Sequence, residues 1–190
     1  PRHSPAAAAL AVEMVHTFSL IHDDLPCIDN ATLRRGQPCT HKVHGEAAGL
    51  LAGDLLLSEA FRVLARNYPP ALAGELTGYL AQATYGVIEG EWADIEAEQQ
   101  EIEDVDIDFI YLNKTGRMLG VPAAMGLALQ GWSAKQAAPV VKACEEVGIA
   151  FQIVDDLLDV HSNAAQLGKD VGQDERKKTL LKRYGEKWCR

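Results

Sequence analysis

Helical texture limits this chain more than any other feature. Ala, Leu, Glu and Gln abound, β-branched alternation is scarce, and prolines cut the sequence into long segments. Leu10, Met14, Phe18 and Ile21 fall on helical spacing, so a first helix is expected from Pro5 to Leu25, ended or distorted by Pro26. Residues Cys27 to His44 read as a loop punctuated by Asn30, Gly36 and Pro38. A second helix is expected from Glu46 to Tyr68, closed by Pro69 and Pro70, and a third from Leu72 to Gln99. The acidic run EIEDVDID, Glu101 to Asp108, holds a connection and the start of a fourth helix that continues to Ala128. A fifth covers Pro139 to Val160, after which the chain is polar and irregular. Five long helices without a convincing strand predict an all-α bundle.

Composition is consistent with one such domain. The 190 residues are 47% hydrophobic and 24% charged, enough apolar material for a core. A net charge of -9 argues against a nucleic-acid binder and against a polybasic membrane-surface protein. No run approaches the ~20 apolar residues of a membrane span. Cys27, Cys39, Cys144 and Cys189 lack Cys-x-x-Cys spacing and read as free thiols of a reducing compartment. The thiols make a cytoplasmic location the default, and the opening PRHSPAAAALAVEM, which lacks the order of a signal peptide, reads as the start of a helix already inside a domain.

What the bundle does is indicated by acids placed where a helix should be apolar. In FQIVDDLLDV, Asp155 and Asp159 are four apart and share a face, with Asp156 beside them and Gln152 one turn before Asp156. Carboxylates in an apolar stripe gain nothing unless something neutralises them. Hard divalent cations do so, and Mg²⁺ favours carboxylates together with substrate phosphates. A second cluster, Asp23-Asp24-x-x-x-x-Asp29, ends the first helix. Six residues at ~100° each leave Asp29 on the wrong side of a straight helix. A distortion at Leu25 to Ile28, next to Pro26, is therefore predicted to swing it back.

Two metal-loaded clusters suit a diphosphate, and cations complete the set. Arg34 and Arg35 follow the first cluster; Lys114 and Thr115 lie in LNKTG; Lys169 lies in LGKD; Lys177 and Lys178 lie in RKKT. Arginine offers bidentate phosphate contacts and lysine a point charge. Each alone reads first as a surface cation. As a set in an acidic protein they point to a polyphosphate.

The stretches EMVHTFSLIHDDLPCIDNATLRRGQP, HGEAAGLLAGDLLL, NKTG, FQIVDDLLDV and LGKDVGQD span nearly the whole chain. In this order they resemble the trans-prenyltransferases, the short-chain polyprenyl diphosphate synthases. The resemblance implies an isoprenoid-synthase-type helical bundle around a central cavity, and a homodimer. It implies Mg²⁺-dependent head-to-tail condensation of an allylic diphosphate, dimethylallyl or geranyl, with isopentenyl diphosphate. By the same resemblance Asp23, Asp29 and Asp155 would hold three Mg²⁺ ions, supported directly or through water by Asp24, Asp156 and Asp159. Arg34, Lys114, Lys169 and Lys178 would hold the allylic diphosphate, and Arg35 the isopentenyl diphosphate. Thr115 and Gln152 would flank the reacting carbons.

Product length is a matter of depth below Asp23. Ser19 lies one turn down and Phe18 just beyond it, at ~5 Å per turn. An aromatic here, with Pro26 and Cys27 inserted in the first motif, resembles bacterial farnesyl diphosphate synthases and makes Phe18 the expected floor. Phe18 as plain core packing leaves a geranylgeranyl product open. There are departures from the family pattern. An upstream Gly-Lys-Arg is absent, so the domain is expected to lack N-terminal helices and its C-terminal end. Glu91 stands where Gln is usual, near Asp94, and Ala31 and Thr32 replace frequent acids. The tail KKTLLKRYGEKWCR fits poorly, which blurs the choice between Lys177 and Lys178. A His-Asp metal phosphohydrolase, suggested by His22-Asp23, would need several ligand histidines; the Arg-Arg-Gly and the second Asp-Asp-x-x-Asp favour chain elongation over a terpene cyclase; a silent regulatory subunit of a prenyltransferase heteromer would be expected to have lost motif acids.

Overall fold

The computed structural model describes residues 3–99, 105–161 and 179–189. Helix α1 (Ala6–Asp23) runs along α3 (Glu46–Asn67), and α4 (Pro70–Gln99) packs on both. Helix α6 (Arg117–Leu129) pairs with α7 (Ala134–His161) and leans on α4. The result is the expected all-α bundle. Its main core lies between α1, α3, α4 and α6, where Val15, Leu64, Leu76, Leu80 and Met125 are fully buried. Each such side chain stabilises the fold by about 1.5–3 kcal/mol. No helix among the described residues is long and apolar enough to cross a membrane.

The buried stripe of α1 differs from the expected one. It is Ala8, Ala11, Val15 and Phe18, while Leu10 is exposed. Spacings of three and four satisfy helical period in either frame. The alanine face wins because small side chains let the buried alanine Ala60 of α3 approach closely.

Three other expectations need correcting. The segment Cys27 to His44 is not a plain loop. It contains a hairpin, β1 (Leu33–Arg34) paired antiparallel with β2 (Gln37–Pro38), and a short helix α2 (Thr40–His44). Alternation was too brief there to signal strands. The fourth helix is three pieces: α5 (Ile107–Tyr111), a π-helical turn (Leu112–Gly116) and α6. It starts where the Asp106 carboxylate caps the Phe109 N–H at 2.9 Å. The fifth helix starts at Ala134 rather than Pro139. The Gln136 side chain reaches back to cap that start, the Gln136 half of a capping box, its Oε1 accepting from the Ser133 N–H at 3.0 Å and from the Ser133 hydroxyl at 2.8 Å. The Ser-x-x-Gln spacing carried that signal, and it outweighs Pro139 inside the helix.

The short helices α8 (Leu180–Tyr184) and α9 (Glu186–Cys189) return to α7. Leu180 joins a smaller core with Ala97, Ile107, Ile110 and Tyr111. Cys27, Cys39, Cys144 and Cys189, all among the described residues, form no disulfide with one another, as expected.

Candidate active site

Helix α1 stops at Asp23, and the chain folds back at once. The Leu25 N–H donates to the His22 carbonyl (3.0 Å), and the Asp29 N–H donates to the Asp23 carbonyl (2.9 Å). Asn30 takes φ 50°, a left-handed conformation that asparagine tolerates. The expected distortion is there, and it brings Asp29 beside Asp23.

The two neighbouring acids of this cluster face different ways. Asp24 is 4% exposed, and Arg34 Nε and Nη2 both donate to its Oδ1, at 3.0 and 2.5 Å. Asp23 is only partly buried. Arg34 reaches Asp24 because β1 and β2 present it. Arg35 and Gly36, with φ 53° and 76°, make the tight turn between them. Both turn residues need positive φ, as in a type I′ hairpin. For Arg35 that costs about 1–2 kcal/mol. His16 lies seven residues before Asp23, on the same face of α1. Burial first, then the Arg35 and Arg34 charges against an opposing Glu13, hold it below the usual histidine range.

The π-turn supplies the next cation. Lys114 Nζ pairs with Glu91 Oε2 at 2.6 Å and with Asp94 Oδ2 at 2.8 Å, both from α4. Burial opposes its charge, but Asp94, Glu91, Asp23 and Asp29 together raise its pKa well above the ordinary value. Gly90 makes room for this turn. A Cβ there would lie 2.5 Å from the Lys114 backbone nitrogen. The wide turn gives close packing against α4 on one side and α7 on the other, where a Cβ on Gly148 would lie 2.7 Å from the Gly116 Cα. Such π-turns recur at functional sites. Propensity alone does not reveal them, so the fourth helix was expected to be regular.

Helix α7 carries the second cluster. Thr115 Oγ1 donates to Gln152 Oε1 at 2.9 Å, and Gln152 Nε2 donates to Asp156 Oδ1 at 3.0 Å. The Tyr111 hydroxyl donates to Asp156 Oδ2. Asp156 is 3% exposed; Asp155 is only partly buried. The π-turn thus touches both clusters, Lys114 reaching toward the first and Thr115 bonded into the second.

Asp23, Asp24, Asp29, Arg34, Lys114, Thr115, Gln152, Asp155 and Asp156 all lie on the elements that converge here, and Arg35 sits in the hairpin turn. Asp159 lies in α7 without a described side chain, and Lys169, Lys177 and Lys178 lie outside the described residues. Phe18 is buried in the main core, edge-on to His22 at 4.8 Å between centroids, and Ser19 donates to the His16 carbonyl at 2.9 Å. His22 also meets the Leu50 carbonyl at 3.0 Å, so it serves the α1–α3 contact. Sequence reasoning missed His16, Tyr111 and the pairing of Glu91 with Lys114. The two-turn spacing from His16 to Asp23 could have found the first. Nothing local marks Tyr111.

The donor set suits Mg²⁺. It is carboxylate oxygen, and it is short of positive charge. Burial first, then Glu91 and Asp29 against the opposing Lys114 and Arg34, push the Asp23 carboxyl up to about 8. An acid so raised is one that a cation would relieve. Among the described residues no three His, Cys, Asp or Glu side chains are already gathered tightly enough to hold an ion. Carboxylates of this kind fit a metal that takes phosphate oxygens as further ligands, as Mg²⁺ does in phosphate sites.

The family profile described as Polyprenyl synthetase matches residues 2–182. The chain is 44% identical over 177 residues to the heterodimeric geranylgeranyl pyrophosphate synthase large subunit 1, chloroplastic, of Arabidopsis thaliana, covering 88% of this chain and 48% of that one. It is 41% identical over 173 residues to the farnesyl diphosphate synthase of Geobacillus stearothermophilus, covering 88% and 58%. The chain thus spans about half the length of these curated relatives. The solved geranyltransferase of Helicobacter pylori, complexed with magnesium and isoprenyl diphosphate, superposes with a TM-score of 0.88 at 30% identity, covering 96% of this chain and 62% of that one. By sequence and by fold, the chain belongs to the polyprenyl synthetase family.

Proposed function

We propose that this chain is a single prenyltransferase domain that condenses isopentenyl diphosphate head-to-tail with dimethylallyl or geranyl diphosphate, releasing diphosphate and giving farnesyl diphosphate. The observation that carries the reading is the π-turn that joins the two acid clusters. One diphosphate placed at Lys114 would lie between Asp23 and Asp29 on one side and Asp155 on the other. Mg²⁺ held by those acids, three ions in all, would supply neutralising charge to the departing diphosphate. Lys114 adds fixed positive charge as the allylic C–O bond ionises. Arg35 and His16 border the α1–hairpin face, where the isopentenyl diphosphate would sit. Thr115 and Gln152 orient each other and would lie beside the carbocation, which the reaction requires to be kept from water. Arg34 acts first as the partner of Asp24 and also adds to the positive field. Lys169 and Lys178 would complete the allylic diphosphate site.

Incubation with dimethylallyl and isopentenyl diphosphates and Mg²⁺, followed by separation of the dephosphorylated prenols, tests this. A fifteen-carbon product is expected, and Phe18→Ala should lengthen it. Relatives named for geranylgeranyl products match at similar identity. A twenty-carbon product would therefore keep the enzyme and remove Phe18 as floor. No product from folded protein with metal would leave a silent subunit.

A homodimer completes the proposal. Leu51, Leu55 (71% exposed), Tyr85, Ile88 and Trp92 (64%) form apolar stripes on the adjacent helices α3 and α4. So large an exposed apolar face favours burial against a second copy. Light scattering should report twice the chain mass, and Trp92→Glu should shift it toward the monomer. A wild-type monomer at micromolar concentration would refute the dimer.

A further inference from the structure

We propose that Tyr111 is a positioning residue for the second acidic pair: its hydroxyl holds Asp156 inside the protein and thereby turns Asp155 to the metal. The proposal rests on reading these acids as a metal site. Tyr111 is the last residue of α5, adjoining the π-turn and three residues before Lys114. It is buried. Its oxygen accepts the Leu180 N–H at 3.1 Å, which aims the phenolic proton away from Leu180 and at Asp156 Oδ2. Asp156 Oδ1 accepts from Gln152. Both oxygens of Asp156 are thus engaged by protein donors, and a carboxylate so held is a poor candidate for a direct metal ligand.

The geometry of α7 carries the consequence. Neighbouring helical residues are ~100° apart. Fixing Asp156 against α5 therefore fixes the rotation of α7 and places Asp155 on its partly exposed flank. Gln152, one turn earlier, makes the second tie through Thr115. Tyr111 links the element that presents Lys114 to the helix that presents Asp155. Outer partners of metal ligands typically contribute 10–100-fold in metal affinity.

The test is Tyr111→Phe, which deletes one oxygen, in the full chain with Mn²⁺ and inorganic diphosphate as the probe. Bound Mn²⁺ is counted by electron paramagnetic resonance, and melting is followed on the same samples. Mn²⁺ affinity should fall about 10-fold in protein that still melts cooperatively. Tyr111→His, which keeps a ring N–H donor, should recover part of it. A double variant with Asp156→Asn should bind no worse than its weaker parent, since the two act through one bond. Tyr79→Phe, which loses a surface hydroxyl bond to Glu75, should change nothing. A purely structural bond would lower melting and leave Mn²⁺ affinity untouched, and that result in Tyr111→Phe or Tyr111→His overturns the proposal. Failure of the wild type to bind Mn²⁺ with diphosphate would overturn the metal-site reading as well.

Discussion

The two acid pairs, Asp23–Asp24 and Asp155–Asp156, come from different elements and are built alike. In each, the second acid is buried and engaged, Asp24 by Arg34 and Asp156 by Tyr111 and Gln152. In each, the first acid remains partly exposed. They differ in how the partners are supplied. The first pair draws its cation from a hairpin ten residues on; the second draws a neutral hydroxyl from another helix, 45 residues away in sequence. An Asp-Asp dipeptide thus places two carboxylates in different surroundings side by side. One carboxylate is held by protein donors inside the fold, while its neighbour keeps a partly exposed face.

This likeness can be broken most forcefully at the outward acids. On the proposed reading, Asp23→Asn and Asp155→Asn remove charge-stabilising ligands rather than packing, and each should cut turnover by about 10²–10⁴ with the melting temperature kept. Steady-state kinetics and melting on the same samples check this. Asp24→Asn and Asp156→Asn should do the reverse in emphasis, costing about 1–3 kcal/mol of stability through a weakened buried bond. Retained turnover in Asp155→Asn would end the symmetry.

The next effect concerns the turn that joins the pairs. Gly90→Ala would drive a methyl into the Lys114 backbone. Overpacking of this kind costs about 1–3 kcal/mol, and turnover should fall about 10-fold as Lys114 shifts. Gly74→Ala on the same helix meets open space and should be neutral or mildly stabilising.

Glu91→Gln sharpens the account of charge at the first pair. It removes one of the two carboxylates paired with Lys114. The Michaelis constant for the allylic diphosphate should fall a few-fold, roughly the worth of 1 kcal/mol. A rise would mean that Glu91 assists binding instead.

The smallest effect is a titration. His16 is held below its ordinary pKa by burial and then by Arg35 and Arg34. The unfolded chain therefore binds more protons just below pH ~6.5. Stability tied to neutral His16 is present above that pH and is lost as pH falls through the window. Nuclear magnetic resonance should give a midpoint below ~6.5, rising in Arg35→Gln.

Much of this was legible in the sequence because the relevant periods are local. Asp155 and Asp156 declare themselves by interrupting an apolar helix, and Pro26 announced the break that returns Asp29 to Asp23. Three things were not legible. The α1 stripe has two frames of equal period, and only packing against α3 selects the alanine face. The π-turn at Leu112–Gly116 depends on glycines in α4 and α7 that are remote in sequence. The role of Tyr111 needs both α7 and Leu180 in place. Each is a tertiary decision that no window of a dozen residues contains.

The central claim is that both pairs grip one metal–diphosphate. The most direct measurement is the melting temperature with Mg²⁺ and inorganic diphosphate, separately and together. At about 100 times the dissociation constant the complex should add about 2.7 kcal/mol, a rise of several degrees at roughly 2–4 °C per kcal/mol. The joint rise should exceed the sum of the separate ones, and either Asp23→Asn or Asp155→Asn should abolish it. A rise that survives either substitution would show that the two clusters do not share a ligand.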